Sequence, residues 1–86
     1  MNAGWKYIAD EKVFEFVAGS GLSRAARRRL QDAFRRIAAH PDQRAHLLGY
    51  DAIGRPLSLV NEGEFEIVYW VDHASKEVRI VSVFRD

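Results

Sequence analysis

The sequence predicts an α+β fold, in which an N-terminal strand and a helical hairpin pack on a three-stranded antiparallel meander, giving a four-stranded sheet in all. Two changes of pattern predict it: apolar residues recur at spacings of three and four up to residue 39, and after Gly54 they alternate with a period of two. Short turn sequences separate the alternating segments. The 86 residues are expected to form a single domain spanning residues 1–86, because a chain of this length supports one core.

The first strand and the first helix are predicted before residue 20. Residues 5–9 carry the large β-prone side chains of Trp5 and Tyr7 at alternate positions, which favours a strand. Asp10 can cap the helix that follows. The glycines at positions 19 and 21 are expected to end that helix, because glycine tolerates the left-handed conformation found after helix C-termini.

The second helix has the clearest sequence pattern. Ser23 is a favourable N-cap residue, and Pro41 disfavours helical geometry at His40, so the helix is expected to lie between these positions. The apolar residues that share one face of this helix are Ala26, Leu30, Ala33, Phe34 and Ile37. The opposite face is rich in arginine.

Residues 42–51 are expected to form a loop, which can include one helical turn over residues 44–48. The predicted strands of the meander are residues 56–60, 64–71 and 77–84. In the middle strand Phe65, Ile67 and Tyr69 share one face, which is expected to hold the helices.

The opposite face of the meander is expected to carry an apolar patch with a charged rim. Such patches are typical of surfaces that bind a partner protein. The residues of this predicted patch are Trp70, Val68, Val81 and Val83. Three alternatives can bury this patch: a partner protein, a terminal segment of the same chain, or a second copy in a homodimer.

Arginines dominate two regions of the sequence. For each region, a binding role and a purely structural role are both open. On the second helix, Arg24, Arg28 and Arg35 are candidates for nucleic-acid binding, since clustered arginines neutralise phosphates; the alternative is a solvated outer face. On the sheet, Arg55, Arg79 and Arg85 can converge on one face as an anion site. The alternative there is pairing with neighbouring carboxylates, namely Glu64, Glu66 or Glu77.

Composition excludes several classes of site. There is no cysteine, which excludes a disulfide framework and a cysteine-based zinc site, and the three histidines lack the spacing of a metal site. No metal and no cofactor are therefore expected. The N-terminus has no signal-peptide pattern, and no apolar run approaches the roughly 20 residues that span a bilayer. A soluble, cytoplasmic protein that does not bind a membrane is expected.

Four segments resemble a known family over nearly the whole chain. They are residues 34–41 (FRRIAAHP), 47–49 (LLG), 63–69 (GEFEIVY) and 78–85 (VRIVSVFR). In this order they resemble the RelE/ParE superfamily, the toxins of type II toxin–antitoxin and plasmid-stabilisation modules. The resemblance implies a cognate antitoxin as partner, and DNA gyrase or ribosome-bound mRNA as target.

The resemblance implies different activities for different branches of the superfamily. The mRNA-cleaving members carry arginines where this chain has Asn61 and Glu66, whereas the gyrase-poisoning members lack that set. The expectation is therefore a toxin that inhibits growth by binding a macromolecule, in the manner of the gyrase-poisoning branch. The alternatives are a ribosome-dependent endoribonuclease that uses Arg85, Arg79 and Arg55, with Lys6 as a further cation, or an inactive member that only binds its partner.

Overall fold

The computed structural model describes residues 5–19, 21–41 and 45–85. In chain order the elements are β1 (Lys6–Ala9), α1 (Glu11–Gly19), α2 (Arg24–Ala39), β2 (His46–Tyr50), β3 (Pro56–Glu62), β4 (Phe65–Asp72) and β5 (Glu77–Arg85). The strands form a five-stranded sheet in the order β1-β5-β4-β3-β2. The α+β class and the two helices are confirmed. In the described part of the chain, neither helix has the length and apolar character needed to cross a bilayer.

The predicted number of strands was wrong, because β2 occupies part of the region expected to be a loop. Its large side chains are exposed, Leu47 by 61% and Tyr50 by 65%, so it lacks the alternation that marks a half-buried strand. Its pairing with β3 also shifts register between Leu47 and Gly49. The segment 42–44 lies outside the described residues.

The sheet is mixed, because β1 joins it in parallel. β1 lies beside β5 with Tyr7 opposite Val78, whereas β2, β3, β4 and β5 pair in antiparallel fashion. The chain between β1 and its parallel neighbour β5 runs through both helices and the other three strands, and α1 and α2 carry it from the β1 edge of the sheet to the β2 edge. This connection places both helices over one face of the sheet.

Local signals place α2 where the sequence predicts it. The Ser23 hydroxyl accepts a hydrogen bond from the Ala26 N–H at 3.0 Å, which caps the helix at its N-terminus. At the other end the His40 N–H donates to the carbonyls of Arg36 and Ile37. The apolar residues predicted for the inner face are all buried, namely Ala26, Leu30, Ala33, Phe34 and Ile37.

The core lies between the helices and one face of the sheet, here called the helix face. Phe65, Ile67 and Tyr69 of β4 lie there, as predicted, with exposures of 1% or less. Val78 and Ile80 of β5 complete the centre of this layer. The face opposite is called the open face.

The pairing of β4 with β5 contains one extra residue in β5. Tyr69 pairs with Ile80 and Val68 pairs with Ser82, so Val81 has no partner in β4. Because side chains alternate along a strand, an extra residue moves every later side chain to the other face. Val83 consequently joins the core on the helix face, which corrects its predicted place in the open-face patch.

The hairpin between β2 and β3 is held by Asp51. Its Oδ1 accepts hydrogen bonds from the N–H groups of Ile53 at 3.0 Å and Arg55 at 2.8 Å. Gly54 has φ 88°, a conformation that glycine adopts without steric cost. The backbone hydrogen bond from Arg55 is the main cause that lowers the pKa of the Asp51 carboxyl, with the Arg55 side chain adding to it. The turn therefore contains a carboxylate that stays ionised.

Replacing Ile67 with alanine is expected to lower the free energy of unfolding by about 2–5 kcal/mol, because its side chain is fully buried in the core. Urea denaturation followed by circular dichroism measures the loss. The matched control is Ile53→Ala, since Ile53 is 73% exposed and its truncation should change stability by less than about 0.5 kcal/mol. Equal losses in the two variants would contradict the placement of the core.

The Asp51 carboxyl is expected to titrate below its ordinary value of 3.8 in a carbon-detected NMR titration. Because the folded pKa is lowered, the stability that this group contributes is present above the ordinary pKa and is lost as pH falls through the lowered one. Arg55→Gln should raise the pKa only partly, since the backbone N–H donors remain.

Asp72 provides the control for that titration. Hydrogen bonds from Ser75 lower the pKa of its carboxyl, so Ser75→Ala should raise it, whereas Arg55→Gln should leave it unchanged. An Asp51 carboxyl that titrates at 3.8 in the unaltered protein would show that the turn is not held in this way.

Candidate functional site on the open face

The open face is formed by the residues of β3, β4 and β5 that alternate with the core residues. In β4 these are Glu66, Val68 and Trp70, and their register partners in β5 are Phe84, Ser82 and Arg79. Both helices pack on the other face, so this surface is a candidate for binding. Its composition is mixed, with cations, apolar side chains and a carboxylate.

Two arginines lie next to Trp70. The guanidinium carbon of Arg55 lies 4.0 Å from the centroid of the Trp70 ring, which is a cation–π stacking arrangement. Arg79 is the cross-strand register partner of Trp70, on the same face. The turn after β2 and the pairing of β4 with β5 therefore bring together two cations and an indole, here called the Trp70 cluster.

Each arginine of the Trp70 cluster is oriented by a carboxylate. Arg55 Nε donates to Asp51 Oδ2 at 2.5 Å, and Arg79 pairs with Glu77 at 3.1 Å. The Nε of Arg79 is buried and, among the described residues, has no hydrogen-bond partner. An unsatisfied buried donor is costly, but this atom has almost no accessible surface, so a ligand would meet the exposed part of the Arg79 side chain instead.

The Trp70 cluster can bind an anion next to a planar group. Guanidinium groups form charge-assisted hydrogen bonds with phosphate or carboxylate oxygens, and an indole ring stacks with a base or another arginine. Asp51 and Glu77 are engaged with the arginines, and Asp72 also interacts with the charge of Arg79 while its carboxyl accepts a hydrogen bond from the Ser75 N–H. What the arrangement offers is therefore binding and charge stabilisation, and it assigns no group to proton transfer.

Arg85 does not belong to the Trp70 cluster, which corrects the predicted convergence of three arginines. After the extra residue Val81, Arg85 pairs in register with Phe65 on the helix face. Its Nε donates to Glu64 Oε2 at 2.6 Å, and its guanidinium carbon lies 6.0 Å from the Phe65 ring centroid. The sequence left pairing with a neighbouring carboxylate as the alternative for Arg85, and the structure shows that pairing.

The predicted apolar patch is smaller than expected. Val68 is 3% exposed and Val83 is 9% exposed, so neither presents much surface to a partner, while Trp70 and Val81 are half-buried. Phe84 is 54% exposed on the open face opposite Glu66, and the sequence pattern missed it. It was missed because only the shifted register of β5 turns this residue to the open face.

The arginines of α2 divide into two groups. On one flank Arg29 pairs with Glu64 at 2.9 Å, and Arg36 pairs with Glu62, so these cations are bound to the sheet. Arg35 pairs within the helix with Asp32 at 2.7 Å. Arg24 and Arg28 have no carboxylate partner within the described residues. The solvated-face alternative describes Arg24 and Arg28, which are exposed to solvent.

Comparison with known proteins adds a structural neighbour. Neither a protein-family model nor a curated protein matches this sequence. Among solved structures, a chain of the crystal structure of the archaeal RelE–RelB complex from Pyrococcus horikoshii OT3 matches with a TM-score of 0.76 and 16% identity. The match covers 94% of this chain and 93% of that chain. At this identity the likeness shows the fold and transfers no residue roles. The architecture implied by the sequence resemblance is confirmed: this chain has a RelE-type fold.

Proposed function

We propose that this chain is the toxin component of a toxin–antitoxin module and that a cognate antitoxin neutralises it. The observation that carries the proposal is the RelE-type fold, which extends over 94% of the chain and matches a structure of a RelE–RelB complex. The four sequence segments that resemble the RelE/ParE superfamily support the same proposal independently. A fold hosts many functions, so the surface that acts must be argued from its residues.

Ribosome-bound mRNA is the proposed target. The likeness to a RelE favours the ribosome, and it gives no support to the gyrase target that the sequence favoured. The Trp70 cluster suits this target, because two guanidinium groups can hold backbone phosphates while the indole stacks with a base. Fixed cations also stabilise the negative charge that develops on a phosphate during cleavage by a neighbouring hydroxyl.

Arg79 has the central place in this proposal. Its side chain is 36% exposed, and it lies on the open face beside Trp70. Arg55 is the second cation, stacked on the same ring. Arg85 has no direct part, because it lies on the other face in an ion pair with Glu64.

A second candidate is a member of the fold that binds its partner and does not cleave RNA. Intramolecular ion pairs favour this second candidate. Each of the three predicted catalytic arginines forms one: Arg55, Arg79 and Arg85. Glu66 adds a negative charge to the open face, which disfavours a phosphate nearby. The experiment below separates the two candidates.

Expression of this chain alone is expected to arrest growth, and co-expression with the protein encoded by the adjacent gene is expected to restore it. Primer extension on cellular mRNA should reveal cuts in ribosome-bound messages. Arg79→Gln should reduce cutting on the order of 100-fold, the scale for losing one preorganised donor that stabilises developing charge. Arrest without any cut message would instead favour a toxin that binds and does not cleave.

The matched control is Arg85→Gln, which removes the same charge and the same side chain from the same strand. It should leave cutting nearly unchanged, because Arg85 lies on the helix face. Both arginines are in partly exposed ion pairs, so each substitution should alter stability by only about 0–1 kcal/mol, which thermal melting checks. Equal loss of cutting in both variants would contradict the placement of the site at Trp70.

A further inference from the structure

The two edges of the sheet differ in how well they are protected from pairing with another chain. The strand order places β1 at one edge and β2 at the other. The outer backbone N–H and C=O groups of an edge strand can pair with a further strand, and short length or a charged side chain opposes this. β1 has only four residues and begins with the exposed cation Lys6. β2 is longer, and its sequence, HLLGY, contains no lysine, arginine, aspartate or glutamate.

Large apolar side chains are exposed along β2 and in the turn after it. Four of the six large apolar side chains that are more than half exposed among the described residues lie here. Adjoining apolar side chains at a surface are typical of a site where another molecule binds. The four residues, called the β2 edge patch, are Leu47, Leu48, Tyr50 and Ile53.

The position of the helices leaves the β2 edge patch open. α1 and α2 pack mainly on β1 and β5, on the other half of the sheet. Leu47 pairs with Ser58, which in turn pairs with the core residue Tyr69, so Leu47 lies on the helix face. Its side chain is 61% exposed there. The apolar layer of the helix face therefore continues to the β2 edge, past the area that the helices cover.

The lack of charge on β2 favours a second copy of this chain as the molecule that covers the patch. A two-fold axis brings residues near their own counterparts, so a charged residue beside the axis would meet a like charge. β2 avoids this repulsion, since it carries no formal charge at pH 7 with His46 neutral. A partner selected by complementary charge would find no opposite charge on this strand. A strand that pairs with its own copy about such an axis is antiparallel to it, which is a favourable ladder.

We propose that two copies of this chain associate through β2, antiparallel about a two-fold axis near Leu48. The two five-stranded sheets would then form one continuous sheet. The shift of register between Leu47 and Gly49 limits the pairing to a few hydrogen bonds, so apolar contacts supply most of the interface. A small stable interface takes about 600 Å² from each partner, and four large exposed side chains with the backbone between them offer an area of that order. The proposal does not depend on the toxin function.

Sedimentation velocity of the purified full chain, between about 5 and 200 µM, tests the association, because the population of a dimer depends on concentration. The average mass should rise from the 9.8 kDa of one chain towards twice that value. A chain that stays monomeric at about 200 µM would overturn the proposal.

Charge substitutions at Leu47 test the two-fold arrangement. Leu47→Lys and Leu47→Glu should each weaken association at least about tenfold, because like charges then lie close together across the axis. An equal mixture of the two variants should associate again, since unlike charges meet. A mixture that associates no better than either variant alone would overturn the pairing through β2.

The matched control is Phe14→Lys, which places the same charge at another exposed apolar position, 67% exposed on α1. It should change the dissociation constant by less than about threefold, because α1 lies away from the β2 edge. Equal weakening by Phe14→Lys and Leu47→Lys would overturn the proposal, since added charge alone would then explain the loss. Circular dichroism checks that both variants are folded.

Hydrogen exchange distinguishes a second copy from a different protein at the same edge. The β2 amides should exchange more slowly at about 200 µM than at about 5 µM, because the paired strand protects them. Protection that appears only when the protein encoded by the adjacent gene is added would assign the edge to that protein and overturn the second-copy proposal. These measurements use neither cells nor RNA, so they can fail while growth arrest and mRNA cutting hold, or hold while those fail.

Discussion

The pairing of β4 with β5 determines which side chains each face of the sheet presents. Val81 is an extra residue in that pairing, so the side chains before and after it follow opposite alternations. Arg79, before it, lies beside Trp70 on the open face. Arg85, after it, lies beside Phe65 on the helix face. The open face therefore receives one guanidinium from β5, because the irregularity turns Arg85 to the helix face and leaves the pairing of Arg79 with Trp70 unchanged.

Ion pairing then determines which cations remain available. Glu62 and Glu64 bind arginines of α2 and β5 on the helix side, and Asp51 and Glu77 orient the two arginines of the open face. The net charge of +1 conceals this uneven distribution. Exposed pairs of this kind add little stability, about 0–1 kcal/mol each, so their larger effect is on where charge is free to bind a ligand.

The Trp70 cluster combines an indole ring with two guanidinium groups, which is the chemistry that binds a planar group and an anion next to it. The sheet thus has one face that packs against the helices and one face that carries the groups able to bind a ligand.

The sequence by itself determined the α+β class, α2 with its cap at Ser23, and the core face of β4, because capping and periodicity are local properties. It also determined the arginine-rich outer side of α2. Only the tertiary structure decided that residues 46–50 form an edge strand, since their exposed side chains have no alternation. The tertiary structure also decided the parallel pairing of β1, the extra residue Val81 and the ion-pair partner of each arginine. Strand pairing joins residues far apart in the chain, and alternation within one strand does not reveal where its register shifts.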